Sequence, residues 1–113
     1  YFLYCPKQYV SHAYLDCERN DELEREAWLI MDIHSHGRIG CSFSSTDDED
    51  EKGTRFYGVY YGFHENGDCT FDLRMGCGGH FHPMQMQELF ESEKPVDLSD
   101  ADYTDCLKSV QFV

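Results

Sequence analysis

Two histidines separated by one residue, His34 and His36, form the strongest chemical signal in this 113-residue chain, and they close a run of apolar residues. If that run is a β-strand, the side chains at positions i and i+2 point to the same side of it. Two imidazoles on one side can share a metal ion, and zinc accepts such nitrogens together with a carboxylate oxygen. The spacing therefore predicts a metal-binding pair.

A Ser-x-x-Asp sequence follows His36 after seven intervening residues and offers the missing carboxylate. Ser44 can cap a helix whose first turn holds Asp47, which would fix that side chain firmly. Gly37 and Gly40 would let the connecting loop turn back towards the histidines. Taken singly, the two patterns are usually a helix cap and an ordinary histidine pair. Their conjunction favours a site in which the two histidines and Asp47 hold one zinc ion and leave a fourth position open to water.

The complete pattern, His34-Ser35-His36, seven residues and Ser44-Ser45-Thr46-Asp47, resembles the metal-binding motif of the JAB/MPN (JAMM) metalloprotease family. The residues around it are similar to a bacterial subgroup of the PRTRC system protein A type. That similarity extends to residues 53–59 and 78–81, so it covers most of the chain after about Tyr9. Gly37 stands where eukaryotic members usually have proline.

The resemblance implies an α/β (α+β) fold similar to that of cytidine deaminases, with a mixed, curved sheet flanked by helices. It implies that His34, His36 and Asp47 bind Zn²⁺ and that the activity is hydrolysis of a peptide or isopeptide bond, for example at the tail of a ubiquitin-like protein. Ser44 would donate a hydrogen bond to the oxyanion or position the attacking water. The implied partners are a protein or peptide substrate, such as a ubiquitin-like protein, and a ThiF-like activating enzyme.

A hydrolase of this type also needs a general base, which in the family is a glutamate on an earlier strand. The glutamates just before the histidine strand read better as a solvated, charged loop: Glu18, Glu22, Glu24 and Glu26. We therefore expect residues 1–113 to be a single JAB/MPN-like domain that lacks its first strand and helix, binds metal, and is nearly inactive by itself. The sheet edge left open would favour dimerisation.

Two other functions compete with the peptidase. A noncatalytic MPN-like binding or scaffold module would share the fold without the chemistry. A metal-dependent phosphoesterase or amidohydrolase barrel also has a His-x-His sequence, but it needs more than twice this length and further ligands.

The elements that must position the site follow from hydrophobic patterning. Strands are predicted over residues 9–17, 27–34, 54–63 and 69–75. The second of these should be buried on both faces, because it is almost continuously apolar. Asn66-Gly67 predicts a hairpin between the last two. Short helices are predicted over residues 21–25, 44–51 and 83–92.

Composition excludes several classes of partner. With 22 acidic and 9 basic residues, the net charge is −13, which argues against nucleic acid and against anionic membrane surfaces. The apolar runs are too short to cross a bilayer. A hydrophobic content of 41% predicts an ample core. Six cysteines without a CxxC pair indicate a cytoplasmic protein with reduced, mostly buried thiols and no disulfides.

A second His-x-His sequence comprises His80, Phe81 and His82 and follows Cys77 closely. It can be imagined as another metal site, but a strand end that faces solvent is the simpler explanation. The remaining histidines, His12 and His64, have no partner that the sequence identifies.

Overall fold

The computed structural model describes residues 3–11, 14–90 and 110–112. Within them the protein is α+β, with short helices and with strands arranged in two sheets. The chain divides into two compact units, residues 1–28 with 95–113 and residues 29–94. The more specific expectation, one JAB/MPN-like domain over residues 1–113, stays a prediction.

The first unit contains a three-stranded sheet in the order β2-β1-β7. Strand β1 (Gln8–Ser11) pairs antiparallel with β2 (Tyr14–Cys17) and parallel with β7 (Val110–Phe112). The single strand predicted over residues 9–17 is therefore wrong. Residues 12–13 between the two strands include no glycine or proline, so the sequence gives no sign that the strand is divided. Residues 12–13, and with them His12, lie outside the described residues.

Helix α1 (Asp21–Glu26) follows β2 and confirms the predicted helix. Asn20 caps it, because its side chain accepts a hydrogen bond from the backbone N–H of Leu23. The helix carries three of the glutamates that were expected to lie in a charged loop, and all three are exposed.

The second unit contains a four-stranded mixed sheet in the order β3-β4-β5-β6. Strand β3 (Met31–Ser35) runs parallel to β4 (Arg55–Tyr61), which pairs antiparallel with β5 (Thr70–Cys77). Strand β6 (His80–Met84) completes the sheet antiparallel to β5. Helix α2 (Ser45–Asp50) connects β3 to β4, as predicted, and the single turn α3 (Met86–Leu89) follows β6. The hairpin at Asn66-Gly67 is confirmed, and Gly67 has a φ of 88°.

The core of this unit lies on the two central strands. Tyr57, Val59 and Leu73 are its buried apolar side chains, and Val59 is fully buried. Gly58 admits the ring of Phe71, because a Cβ there would lie 2.6 Å from that ring. Composition predicts an ample core, and that prediction is wrong for the described residues, whose buried apolar core is small.

Strand β3 lies at an edge of the sheet and not inside it. The predicted strand over residues 27–34 begins only at Met31. The prediction that this segment is buried on both faces is wrong, because Trp28 is 93% exposed and Ile33 is 40% exposed. A short apolar run does not by itself distinguish a central strand from an edge strand.

The helix predicted over residues 83–92 is also wrong. Pro83 belongs to β6, and α3 comprises only Met86–Leu89; residues 91–92 lie outside the described part of the chain. Proline is tolerated in β6 because an edge strand has one side on which no N–H is needed.

The helices of the described residues are all too short or too polar to span a membrane. Cys41, Cys69 and Cys77 are free thiols, and all three are exposed. The predicted burial of the cysteines is wrong for these three, which lie in loops or near strand ends. Cys106 lies outside the described residues.

Candidate metal centre

The two histidines of the first His-x-His sequence face each other at the end of β3. His34 lies opposite Val59 in the sheet, and the backbone N–H of His36 donates to the carbonyl of Tyr60 at 2.8 Å. Their Nε2 atoms are 3.0 Å apart. The sheet thus holds both rings on the same side, as the alternation of side chains predicts.

The loop after β3 orients His36. Gly37 has a φ of 60°, which permits the tight turn, and the Nδ1 atom of His36 lies 3.0 Å from the carbonyl oxygen of Cys41. A carbonyl only accepts, so Nδ1 carries the hydrogen and Nε2 of the neutral ring presents its lone pair to the site. Such a hydrogen bond to the second ring nitrogen is how proteins orient metal-binding histidines.

The start of α2 holds Asp47. Ser44 is the N-cap, and its hydroxyl oxygen accepts from the Asp47 N–H at 3.3 Å. In return, the Ser44 N–H and hydroxyl donate to Asp47 Oδ2 at 2.6 and 2.7 Å. The carboxylate is therefore fixed by reciprocal bonds, which is the capping box that Ser-x-x-Asp predicts.

Asp47 completes a three-residue cluster with the histidines. Its Oδ1 lies 3.0 Å from Nε2 of His34, and its Oδ2 lies 3.3 Å from Nε2 of His36. One ligand atom from each residue falls within 4.8 Å of the others, and no other such set of three occurs in the described part of the chain.

The donor set fits zinc. Two imidazole nitrogens and one carboxylate oxygen are ligands of catalytic zinc sites, which keep a fourth position open. Ligand atoms at 2.0–2.1 Å from a tetrahedral ion lie about 3.3–3.4 Å from each other. The Nε2 atoms are 3.0 Å apart and each lies 3.0–3.3 Å from an Asp47 oxygen, His34 from Oδ1 and His36 from Oδ2, so binding through one oxygen requires the carboxylate to turn. The structure brings the three residues together; that they bind a metal stays a prediction.

The electrostatics of the site favour the protonation states that a metal requires. Burial lowers the pKa of His34 below its ordinary value, which favours the neutral ring. Burial acts to raise the pKa of Asp47, but the hydrogen bonds from Ser44 and the two neighbouring histidines hold that pKa below its ordinary value. Metal ligands must be deprotonated, so both shifts favour binding.

An arginine that the sequence did not single out supports this site. The guanidinium of Arg74 on β5 lies between the rings of Phe43 and Phe81, 3.8 and 3.6 Å from their centroids. Phe43 in turn presents an edge-on contact to His34, with ring centroids 6.3 Å apart. The loop that leads into α2 is thereby packed against both the sheet and the site.

Arg74 also binds the helix that carries Asp47. It donates to Asp48 Oδ1 at 2.7 Å and to the buried carboxylate of Glu51. Burial raises the pKa of Glu51 above its ordinary value, although Arg74 acts in the opposite direction. The two acidic residues are three positions apart and share one helix face, which is the only sequence signal of this contact. Asp48 lies in the first turn of α2, whereas Glu51 is its C-cap.

A cleft of about 540 Å³ lies on the same unit, and none of His34, His36 and Asp47 lines it. Its lining includes Phe43, Asp72, Arg74, Phe81 and Met84, so it shares Phe43 with the surroundings of His34. The volume lies in the range of ligand sites, and the lining combines aromatic and other apolar side chains with polar and charged groups.

The other candidates from the sequence do not join the cluster. Glu18 accepts from the Tyr9 hydroxyl, and Glu24 pairs with Arg19, both within the first unit and both exposed, as expected for solvated residues. His80 and His82 are exposed on β6.

No protein-family model, curated protein or solved structure matched this chain. Assignment to the JAB/MPN family therefore rests on the motif, and it stays a prediction.

Proposed function

We propose that the protein is a zinc-dependent metallopeptidase or isopeptidase of the JAMM type. Its substrate would be a protein or peptide, such as the tail of a ubiquitin-like protein supplied with a ThiF-like enzyme, in the cytoplasm. The observation that carries the proposal is the convergence of His34, His36 and Asp47 with the Ser44 hydroxyl bonded to the carboxylate.

The ligand residues define what the site could do. His34, His36 and Asp47 would hold Zn²⁺, which when bound lowers the pKa of water and polarises a scissile carbonyl. The carbonyl of Cys41 keeps His36 in the tautomer that binds metal. Their partial burial restricts competing water, since the side chains of all three are only 15–22% exposed.

Ser44 has one hydroxyl proton and two candidate uses for it. In the structure that proton goes to Asp47 Oδ2, which the Ser44 backbone N–H also reaches. The hydroxyl could therefore turn towards a developing oxyanion while the carboxylate keeps one of its two donors. Such a donor at the reacting oxygen typically contributes about 10²–10³ in rate.

The cleft beside Phe43 is the site at which substrate residues next to the scissile bond would bind. Its mixed apolar and polar lining suits a polypeptide, and Phe43, which lines the cleft and contacts His34, connects it to the ligands.

Metal analysis of the purified protein tests the proposal. We expect about one zinc per chain, and loss of that zinc in His34→Ala and His36→Ala. His64→Ala is the matched control, because His64 is exposed and outside the cluster. Stoichiometric zinc in the His34→Ala/His36→Ala double variant would contradict the site.

Cleavage assays separate the enzyme from the noncatalytic alternative. A fusion in which a short peptide follows a ubiquitin-like tail should be cut only slowly by the zinc-loaded protein, because no glutamate joins the described cluster as general base, and not at all after chelation. Zinc binding without any cleavage, in this chain and in versions extended at the N-terminus, would favour the scaffold module.

A further inference from the structure

The hairpin formed by β5 and β6 carries a second set of metal-binding side chains. Arg74 and Phe81 stack on each other on the face of the sheet that α2 covers. Side chains alternate along a strand, so the neighbouring residues point to the opposite face. These residues are Met75, Cys77, His80 and His82, here called the hairpin cluster.

The register brings the four residues into two adjacent cross-strand pairs. Cys77 lies directly opposite His80, and Met75 lies directly opposite His82. Gly78 and Gly79 form the turn between the strands, with φ values of 59° and 82°. Directly opposite residues of an antiparallel pair have Cβ atoms about 4.5–5.5 Å apart. Two sulfur and two imidazole groups thus share one small patch of the sheet.

The side chains of the cluster are available for a ligand. All four are exposed, Met75 to 40%. Cys77 is a free thiol whose sulfur accepts from the Thr54 hydroxyl at 3.9 Å, and neither imidazole has a hydrogen-bond partner among the described residues. Their ligand atoms are not gathered within 4.8 Å as those of the first site are. Convergence requires only rotation about side-chain torsions, which exposed residues can make without disturbing the core.

We propose that the hairpin cluster binds one thiophilic metal ion, with Cu(I) the best match to its donors. Thiolate and thioether ligands select soft ions, and imidazole suits copper as well. Cys77 would release its thiol proton to bind as the thiolate. The site is separate from the zinc ligands, because His34 lies on the face that α2 covers, so it does not depend on the peptidase proposal.

The proposal goes against the simpler explanation of His80-Phe81-His82 as a strand end in solvent. The pairing of β6 with β5 favours a metal site, because it places a cysteine and a methionine opposite the two histidines. That pairing could not be read from the His-x-His sequence alone.

The test uses the full chain with His34→Ala and His36→Ala, so that the first site cannot bind. Under anaerobic, reducing conditions, Cu(I) is partitioned between the protein and a chromogenic Cu(I) chelator of known affinity. We expect one Cu(I) per chain. Cys77→Ser/His82→Ala should lower the Cu(I) affinity at least about 100-fold, because loss of an outer-shell partner alone costs 10–100-fold. The matched control is Cys69→Ser/His64→Ala, which removes an exposed thiol and an exposed imidazole elsewhere.

The outcomes are distinct. The proposal would be overturned if the cluster variant and the control variant bound Cu(I) with equal affinity. It would also be overturned if the parent protein lost all copper to the chelator at the lowest chelator concentration. Met75→Leu identifies the ion: it should weaken Cu(I) binding about tenfold or more, since a thioether is a ligand for soft ions. An equal affinity of Met75→Leu and the parent for Cu(I) would overturn the copper assignment.

Discussion

Replacing Arg74 by methionine tests whether this arginine holds the metal-binding helix to the sheet. Methionine keeps an unbranched, apolar side chain between Phe43 and Phe81, so packing is largely preserved. The positive charge and the hydrogen bonds to Asp48 and Glu51 are lost. The variant therefore isolates the ionic part of the contact.

The expected cost follows from the burial of the partners. The side chains of Arg74 and Glu51 are each 9% exposed, and removing one member of such a buried pair typically costs about 3–5 kcal/mol. The Asp48 side chain is 53% exposed, so its pair contributes only about 0–1 kcal/mol. We expect the free energy of unfolding to fall by about 3–5 kcal/mol at pH 7.

The loss should depend on pH in a defined direction. The pKa of Glu51 in the folded protein lies above its ordinary value of 4.5, and burial without Arg74 would raise it further. A raised carboxyl pKa favours the folded state at pH values below the unfolded pKa, and that contribution is lost as the pH rises through the folded pKa. The Arg74→Met variant should therefore lose less stability at pH 5 than at pH 7.

Urea unfolding of four proteins measures these effects: wild type, Arg74→Met, Glu51→Gln and the double variant, each at pH 5 and pH 7. The loss caused by Arg74→Met should be smaller in the Glu51→Gln background, because no buried carboxylate is left unpaired. A loss under about 1 kcal/mol at pH 7, or one of equal size in both backgrounds, would refute the reasoning.

Three further predictions concern the same unit. Ser44→Ala should reduce the free energy of unfolding by about 0.5–2 kcal/mol and weaken zinc binding about 10–100-fold without abolishing it. Ser45→Ala, which removes an exposed hydroxyl, should change neither quantity; urea unfolding measures the stability and isothermal titration measures the zinc affinity. Gly58→Ala should cost about 1–3 kcal/mol because its Cβ would meet Phe71, whereas Gly40→Ala, with no atom nearby, should be tolerated; equal melting temperatures would contradict the close approach. A thiol reagent should react in the native protein, before urea is added, with three exposed thiols: Cys41, Cys69 and Cys77. Protection of all three from the reagent would contradict their exposure to solvent.

The local chemistry of the site was readable from the sequence. His-x-His predicts two rings on one side of a strand, and Ser-x-x-Asp predicts a capped helix, because both patterns depend only on neighbouring residues. The hairpin at Asn66-Gly67 was equally local, since its turn requires positive φ.

The long-range features were not readable in the same way. The stacking of Arg74 between two phenylalanines depends on pairing between β5 and β6 and on the path of the loop before α2. The burial of residues 27–34 was overestimated, because apolar composition does not reveal whether a strand has one partner or two. The sequence around Pro83 favoured a helix start, but in the structure Pro83 lies opposite Arg74 of β5 and belongs to the edge strand β6.

The position of β3 has a consequence for hydrogen exchange. Among the described strands, β4 has partners on both sides, whereas β3 pairs with β4 alone. Local opening of an outer strand generally requires less free energy than global unfolding, so amides of β3 should exchange with solvent faster than those of β4. A metal that joins β3 to the start of α2 would bind only the closed state, and it would slow exchange in β3 more than in β4. The affinity for that metal would therefore include the free energy of keeping this strand docked.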